Sequence, residues 1–304
     1  TRIMIEGETA GHVTALEYFR PFKKRDEEIL QYLSTVISCV INNNSKIYES
    51  FIIDLLDGNL RNHKAIEERA RSIGYKLKKN LCIIVVRPRL TTSICISFLH
   101  LGEILQRMIQ ESKAVFYKNE IVLVISSDDK INLFHKDLEG LINILKENQL
   151  HGGISPVFHS LEEMQEDYML SLKAIEFGVR LNSDKVIYAY EDYIDYHLID
   201  IAEAQKDPKR FCNPRLFELM EYDRIYDTSY TESLYVYLFT GNKSKSAQIL
   251  NIHRNSMDYR IKKIEEILDL NLSDPNISWS LFLSFKILIY TGEVSYHQQY
   301  RIDQ

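Results

Sequence analysis

The segment GNKSKSAQILNIHRNSMDYRIKKIEEIL, from Gly241 to Leu268, predicts two short helices joined by a tight turn. Asn242 and Ser244 can cap the first helix, and Asn251 or His253 precedes the second. Asn251 is also one of the few non-glycine residues that tolerate the left-handed backbone of such a turn. Ala247 is small where two helices must cross closely. The residues expected to supply the shared core are Ile249, Leu250, Ile252 and Met257.

The second helix of this segment has one apolar and one polar side. At about 100° per residue, the apolar side is formed by Met257, Ile261, Ile264 and Leu268. The opposite side carries Asn255, Ser256, Tyr259, Lys262 and Lys263. Arg254 lies at the N-terminal end, and Arg260 lies on a flank. A helix with such a polar face fits the major groove of DNA.

The charge of this segment is opposite to that of the whole chain. The 304 residues carry a formal net charge of −6. Between Gly241 and Lys263 the only acid is Asp258, and the six basic residues are Lys243, Lys245, Arg254, Arg260, Lys262 and Lys263. A basic helix in an acidic protein indicates one small domain that meets phosphate. A solvated surface helix is the alternative interpretation.

These residues also carry a family resemblance. Asn242-x-Ser-x-Ser-Ala247, Ile252-His-Arg-Asn-Ser-Met257 and Tyr259-Arg-Ile261 resemble the C-terminal helix-turn-helix of the purine-catabolism and sugar-diacid regulators, the PucR/CdaR-like transcription factors, and are similar to the Fis-type motif. Flanking residues agree, with two departures: Ser256-Met257 replaces the commoner Thr-Leu, and Asp258 lies beside the polar face. The resemblance implies a transcriptional regulator that binds operator DNA as a dimer and activates a catabolic operon.

The predicted DNA contacts divide into two kinds. Arg254 and Asn255 are expected to contact base edges, since arginine bonds guanine and asparagine bonds adenine in a bidentate manner. Most of the others are expected to hold phosphates and set the register. The full candidate set is Lys243, Ser244, Lys245, His253, Arg254, Asn255, Ser256, Tyr259, Arg260, Lys262 and Lys263.

The N-terminal part predicts a strand and a long helix. Residues Gly11 to Phe19 alternate like a strand and resemble the last strand of a PAS or GAF sensor domain. From Arg25 to Asn42, apolar residues recur at spacings of four and three, and the pattern resumes before Gly58: Ile29, Leu33, Val36, Val40, then Ile47, Phe51 and Leu55. This spacing indicates a coiled-coil seam that joins two copies. An intrachain core helix remains an alternative.

The middle of the chain predicts a ferredoxin-like βαββαβ domain. The expected strands are Leu81–Val86, Val115–Tyr117, Ile121–Ile125, Gly153–Phe158 and Val186–Ala189. Helices are expected from Asn62 to Gly74, from Ser97 to Ser112, through Leu138 and Leu145, and from Leu161 to Leu181. This order resembles the GGDEF-like domain that precedes the helix-turn-helix in sugar-diacid regulators.

That resemblance raises the hypothesis of a diguanylate cyclase. The reaction requires a Gly-Gly hairpin and carboxylates that bind Mg²⁺. Here the hairpin is Lys118-Asn119-Glu120, and the first strand continues into Arg87-Pro88-Arg89 without a carboxylate. The sequence therefore predicts a degenerate domain, no enzyme, no cofactor and no metal. Arg87, Arg89 and Lys118 remain candidates for contact with an anion, and His151-Gly152-Gly153 is interpreted as a turn.

Composition narrows the remaining classes. The four cysteines, at positions 39, 82, 95 and 212, contain no CxxC pair, so reduced and buried thiols are expected, with a redox switch as an alternative. No apolar run is long enough to span a bilayer, and no signal peptide is recognised, so we expect a cytoplasmic protein. The first residue is Thr1, which suggests a lost upstream sensor domain that would bind a small-molecule effector.

Together these patterns predict an α+β multidomain chain. The expected parts are a sensor-domain remnant (1–23), a dimerisation helix (24–58), the degenerate GGDEF-like α/β domain (59–192), a helical linker (193–230), an all-α helix-turn-helix domain (231–292) and a tail (293–304). The last helix is expected from Asp274-Pro275 to Gly292, with Trp279 in its core. The rival function is a ligand-sensing or protein-interaction module that does not contact DNA.

Overall fold

The chain forms two compact units, residues 1–172 and residues 173–304. The structure is a computed structural model, and it describes residues 2–5, 8–15, 21, 23–76, 78–89, 98–109, 111–129, 138–181 and 185–296. In these ranges no helix combines the length and the apolar character that crossing a membrane requires.

A hairpin and a long helix begin the first unit. Strands β1 (Arg2–Ile5) and β2 (Glu8–His12) pair antiparallel, with Gly11 opposite Ile3. The prediction of one strand from Gly11 to Phe19 was therefore wrong in position, because β2 finds its partner upstream and residues 13–15 are not extended. Residues 16–20 lie outside the described ranges.

Helix α1 (Lys24–Leu56) contains both predicted apolar segments in one run of 33 residues. Its C-terminal part is core, since Phe51 and Leu55 are buried. Its N-terminal seam is exposed instead: Ile29, Leu33 and Val36 are 50%, 42% and 38% exposed. Only the second half of the helix therefore serves as an intrachain core helix.

The rest of the first unit is a helix-flanked sheet. Its elements are α2 (His63–Ser72), β3 (Asn80–Pro88), α3 (Phe98–Met108), β4 (Ser112–Tyr117), β5 (Glu120–Ser127), α4 (Leu138–Glu147) and β6 (Leu150–Ile154). These four strands pair antiparallel in the order β4-β5-β3-β6. Residues Leu81 to Val86 of β3 are fully buried between neighbours on both sides. The predicted βαββαβ order and the α+β fold class are confirmed.

Several boundaries differ from the prediction. Helix α3 ends at Met108 rather than Ser112, because Ser112 begins β4 opposite Ile125. The expected turn His151-Gly152-Gly153 lies inside β6, where Gly153 pairs with Val85. That strand ends at Ile154 rather than Phe158, and Pro156, which lacks a backbone donor, follows it.

The β4–β5 hairpin has a two-residue turn. Lys118 and Asn119 have φ values of 48° and 64°, so both lie in the left-handed region that a type I′ turn requires. Asparagine adopts this region more easily than most residues. Glu120, expected in the turn, is the first residue of β5.

Helix α5 (Met164–Leu181) begins in the first unit and ends in the second. The other elements of the second unit are β7 (Ile187–Ala189), α6 (Ile194–Glu203), α7 (Pro214–Tyr226), α8 (Tyr230–Thr240), α9 (Lys243–Ile249), α10 (Arg254–Leu268) and α11 (Pro275–Tyr290). Helix α6 is bound to α11, because Lys286 donates to Asp195 at 2.6 Å and the Tyr290 hydroxyl donates to Asp200 at 2.6 Å. The last helix starts where expected, but Trp279 is 56% exposed and does not belong to the core.

Candidate nucleic-acid interface

Helices α8, α9 and α10 form the helix-turn-helix that the sequence predicts. Gly241 ends α8 with a φ of 61°, and the Asn242 side chain then caps α9 by accepting from the amides of Ser244 and Lys245 at 2.9 and 3.1 Å. Asn251 lies in the left-handed region with a φ of 52°, and His253 Nδ1 accepts from the Asn255 amide at 3.2 Å to start α10. The turn predictions are confirmed.

The core of the motif is narrower than expected. Met257, Ile261, Ile264 and Leu268 of α10 are buried, as the helical wheel predicted. Ile249, Leu250 and Ile252 were expected beside them and are only half-buried. The buried residues of α9 are instead Ser246 and Ala247, whose small side chains allow two helices to cross closely.

The polar side of α10 faces solvent along its first turns. Arg254, Asn255 and Ser256 are exposed, and the Tyr259 ring is 61% exposed. Together with the start of α8 they form an open concavity of about 490 Å³, lined by Asp227, Thr228, Ser229, Tyr230, Asn255, Ser256, Tyr259 and Arg260. An elongated polar ligand would therefore reach side chains from two helices here.

Three of the six basic residues of the motif are engaged within the protein. Lys243 forms an ion pair with Asp258 at 3.4 Å, and Lys263 forms one with Glu266 at 3.0 Å. Arg260 donates to the Ser233 hydroxyl of α8 at 2.8 Å. The Lys243 and Arg260 contacts join α9 and α8 to α10, and the Lys263 pair lies within α10, so part of the predicted charge has a structural partner.

The other three, Lys245, Arg254 and Lys262, form no ion pair or side-chain hydrogen bond with any residue that the structure describes. We call them the free cations. Two of them lie on α10 two turns apart, and the third lies on α9. Unpaired positive charge on a helix can bind the phosphates of a nucleic acid, and an exposed side chain such as Asn255 can contact the base edges.

The start of α8 is fixed by Asp223, and sequence reasoning did not predict this capping role. The Asp223 carboxylate of α7 accepts from the backbone amides of Tyr230 at 2.9 Å and Thr231 at 2.7 Å, and from the Thr228 hydroxyl. Ser229, the N-terminal flanking residue of α8, makes no side-chain cap. Asp223 therefore caps this helix from a neighbouring one. The signal in the sequence was an acid seven residues before a helix start whose own flanking residue makes no cap.

The basic residues near the hairpin of the first unit differ from the free cations. Lys118 Nζ lies 3.6 Å from Asp57, which also accepts from the Tyr117 hydroxyl. Arg87 lies 4.0 Å from Glu120, whose carboxylate accepts from the Tyr168 hydroxyl at 2.7 Å. Burial raises the pKa of Glu120 above its usual range. Arg87 and Lys118, two of the candidates for contact with an anion, are thus already paired with carboxylates of the protein.

Cys82 in β3 and Cys212 before α7 are buried, and neither forms a disulfide within the described residues. Burial raises the pKa of Cys212 to about 11, which keeps its thiol protonated and poorly reactive. Cys95 and the side chain of Cys39 lie outside the described residues.

Known families match both parts of the chain. The PucR C-terminal helix-turn-helix domain matches residues 230–287, and the GGDEF-like domain matches residues 57–177. The first match covers α8 to α10 with most of α11, and the second covers the sheet of the first unit.

Three curated relatives come from Bacillus subtilis (strain 168). The DNA-binding transcriptional activator AdeR is 20% identical over 91% of this chain and 69% of its own length. The proline-responsive transcriptional activator PutR is 27% identical over 45% of this chain and 34% of its own length. The purine catabolism regulatory protein is 30% identical over 44% and 25%. The chain thus spans about two thirds of the first relative, about a third of the second and a quarter of the third.

Proposed function

The chain belongs to the PucR-type DNA-binding transcriptional regulators, and from this premise we propose that it activates an operon as a dimer whose free cations hold operator DNA. The observation that carries the proposal is the division of charge on the motif. Lys245, Arg254 and Lys262 have no partner among the residues that the structure describes, while Lys243, Arg260 and Lys263 do. Activation is supported by the names of AdeR and PutR.

Each group has its own role in this proposal. Arg254 and Asn255, at the exposed N-terminal end of α10, contact base edges in the major groove. Lys245 and Lys262 contact phosphates. The other members of the interface position the helix or contact the backbone through hydroxyl and ring groups: Lys243, Ser244, His253, Ser256, Tyr259, Arg260 and Lys263.

The experiment compares two double variants in fluorescence anisotropy with labelled genomic fragments. Lys245→Gln with Lys262→Gln removes two free cations and should lower the slope of log K against log salt by about two. Lys243→Gln with Lys263→Gln removes the same charge from ion-paired positions and should change the slope less. Equal slopes for both variants contradict the proposal. Absent or salt-insensitive binding by the dimer favours a protein-interaction module instead.

The dimer is proposed to form along the N-terminal half of α1. Ile29, Leu33 and Val36 follow the spacing of a coiled coil and face solvent in a single copy. Two copies of the helix would bury this seam, and two helix-turn-helix motifs would then read two half-sites. Leu33→Glu should turn a dimer into a monomer in sedimentation velocity, while Gln31→Glu, on an exposed position beside the seam, should not. A monomeric native chain would refute this arrangement.

We propose further that the GGDEF-like domain has no cyclase activity and serves as a structural and dimerising domain. Its turn is Lys118-Asn119 without Gly-Gly, and Glu120 is engaged by Tyr168 and Arg87. Cyclic dinucleotide formed from GTP and Mg²⁺ by the purified chain would refute this. We propose the same division of the chain as above: a sensor remnant, a helix, this domain and the DNA-binding domain. In this division a small-molecule effector would bind to a sensor domain. A DNA-binding role implies action in the cytoplasm.

A further inference from the structure

We propose that the first unit binds a small organic carboxylate in the cavity between α1 and the β4 edge of the sheet. The cavity measures about 620 Å³ and opens between Tyr48 of α1, Tyr75 after α2 and Lys113 of β4. That volume lies within the range of about 300–1,000 Å³ typical of small-molecule sites. The proposal is independent of the DNA-binding role.

Backbone and ring contacts hold Tyr75 in the cavity wall. Gly74 ends the turn after α2 with a φ of 69°, and the Tyr75 amide donates back to the Ala70 carbonyl at 2.8 Å. The Tyr75 ring then packs on α1, with ring centroids 6.0 Å from Phe51 and 5.6 Å from Tyr48. A tyrosine held in this way presents its hydroxyl in a fixed position.

The Tyr75 hydroxyl oxygen is buried and forms no hydrogen bond of good geometry with any residue in the described ranges. The hydroxyls of Tyr48 and Ser126 lie close enough to interact with it, but neither is aligned as an acceptor. Burial raises the pKa of Tyr75, so the phenol keeps its proton. A buried polar group without a partner is costly, and a ligand oxygen would satisfy it.

The charges around the cavity favour a monoanion. Lys78 is neutralised by Glu111 at 2.7 Å. Lys76 and Lys113 form no ion pair within the described part of the chain. Glu49 is the remaining acid, so the lining carries an excess of one positive charge. A single carboxylate matches this excess better than a doubly charged phosphate, and the tyrosine rings offer apolar surface to the rest of an organic acid.

Calorimetric titration of the full chain with benzoate and with inorganic phosphate, at constant ionic strength, tests the proposal. Benzoate should bind saturably at one site per chain, and phosphate should bind at least tenfold more weakly. Tyr75→Phe and Lys113→Gln should each weaken benzoate binding by about tenfold, since each removes a hydrogen bond or charge from the carboxylate. Lys146→Gln, on the exposed side of α4, is the matched control and should bind like the native chain.

Circular dichroism melts will show that the variants are folded, since Tyr75→Phe keeps the packed ring. The proposal is overturned if benzoate does not bind, if phosphate binds as tightly, or if both variants bind benzoate with the affinity of the Lys146→Gln control.

Discussion

The start of helix α10 and the β4–β5 hairpin are both exposed, basic turns, yet they use their charge in opposite ways. At the hairpin, Lys118 is neutralised by Asp57 and Arg87 by Glu120, so the cations stabilise the sheet unit itself. At α10, Arg254 and Lys262 have no partner in the described chain. A count of basic residues would treat the two sites alike. The comparison teaches that the pairing of charges, rather than their number, distinguishes an interface from a structural contact.

The largest effect on stability is expected from substitution of Asp223, which caps α8 beside the helices that carry the free cations. Asp223→Ala removes one carboxylate that accepts two amides and a hydroxyl, and should cost about 3 kcal/mol of unfolding free energy in the helical unit. Urea unfolding followed by the fluorescence of Trp279, the only tryptophan of the chain, measures it. Asp223→Asn retains an acceptor oxygen and should lose about half as much. Native stability in the alanine variant would disprove the capping role.

The second prediction is that the stability of the two units depends differently on pH. Burial, followed by the charges of Glu163 and Glu166, raises the pKa of Asp167 from 3.8 to about 7. The folded chain therefore holds a proton that the unfolded chain releases, so stability falls as the pH rises from about 4 to 7 and is constant above. Asp167→Asn should abolish this fall and raise the stability at pH 8 on the order of 2–3 kcal/mol.

Urea unfolding at pH 4.5 and pH 8, followed by far-ultraviolet circular dichroism, measures the Asp167 effect. Glu166→Gln, on the same helix, serves as the control and should retain most of the pH dependence. Trp279 fluorescence reports the helical unit, which should not respond to the substitution. An equal change in the stability of both units would contradict the prediction that the Asp167 effect is confined to the first unit.

The third prediction concerns base recognition by the free cations. Arg254→Ala should weaken binding to the preferred operator by about 1–3 kcal/mol and relax the preference at one base pair, since it removes a bidentate contact. Lys262→Gln, a phosphate contact, should weaken binding to all sequences alike. Anisotropy titrations against an operator and its single-base variants distinguish them. If both variants lose affinity without loss of selectivity, the assignment of Arg254 to bases is wrong.

The smallest effect is expected at the hairpin. Tyr117→Phe removes the hydrogen bond to Asp57 and should lower the stability of the sheet unit by about 1 kcal/mol, without any change in DNA affinity. The same urea and anisotropy measurements apply. Phe116→Tyr, at the preceding exposed position, should alter neither quantity. A fall in DNA affinity with Tyr117→Phe would show that the hairpin acts on the DNA-binding motif.

Local chemistry made much of this structure predictable. Asn242, Asn251 and His253 are polar residues at positions where a helix start or a left-handed turn requires them, so the helix-turn-helix followed from sequence. The continuous apolar run from Leu81 to Val86 likewise predicted β3 as a buried strand, and the βαββαβ order along the chain was predicted as well. The pattern gave the α10 core correctly because its period is that of a single helix.

Contacts between distant residues were not predictable. Asp223 caps a helix that begins seven residues later, and Arg260 bonds Ser233 of another helix, so neither partner is visible in a local pattern. The prediction of a turn at His151-Gly152-Gly153 was wrong for the same reason, because pairing with β3 overrides the low strand propensity of glycine. The sequence treated the six cations of the motif alike, whereas three of them have partners within the protein and three have none among the described residues.

The bonds of the hairpin also constrain how this domain can change over evolutionary time. Replacement of Lys118-Asn119 by Gly-Gly would leave Asp57 without its ammonium partner, and Glu120 would still be bound to Tyr168. Substitution of Lys118 toward a nucleotide-binding turn therefore loses an ion pair before any new ligand is gained. Because Asp57 contacts Tyr117 and Lys118, and Glu120 contacts Tyr168, we expect the effects of substitutions within each of these groups to depend on one another.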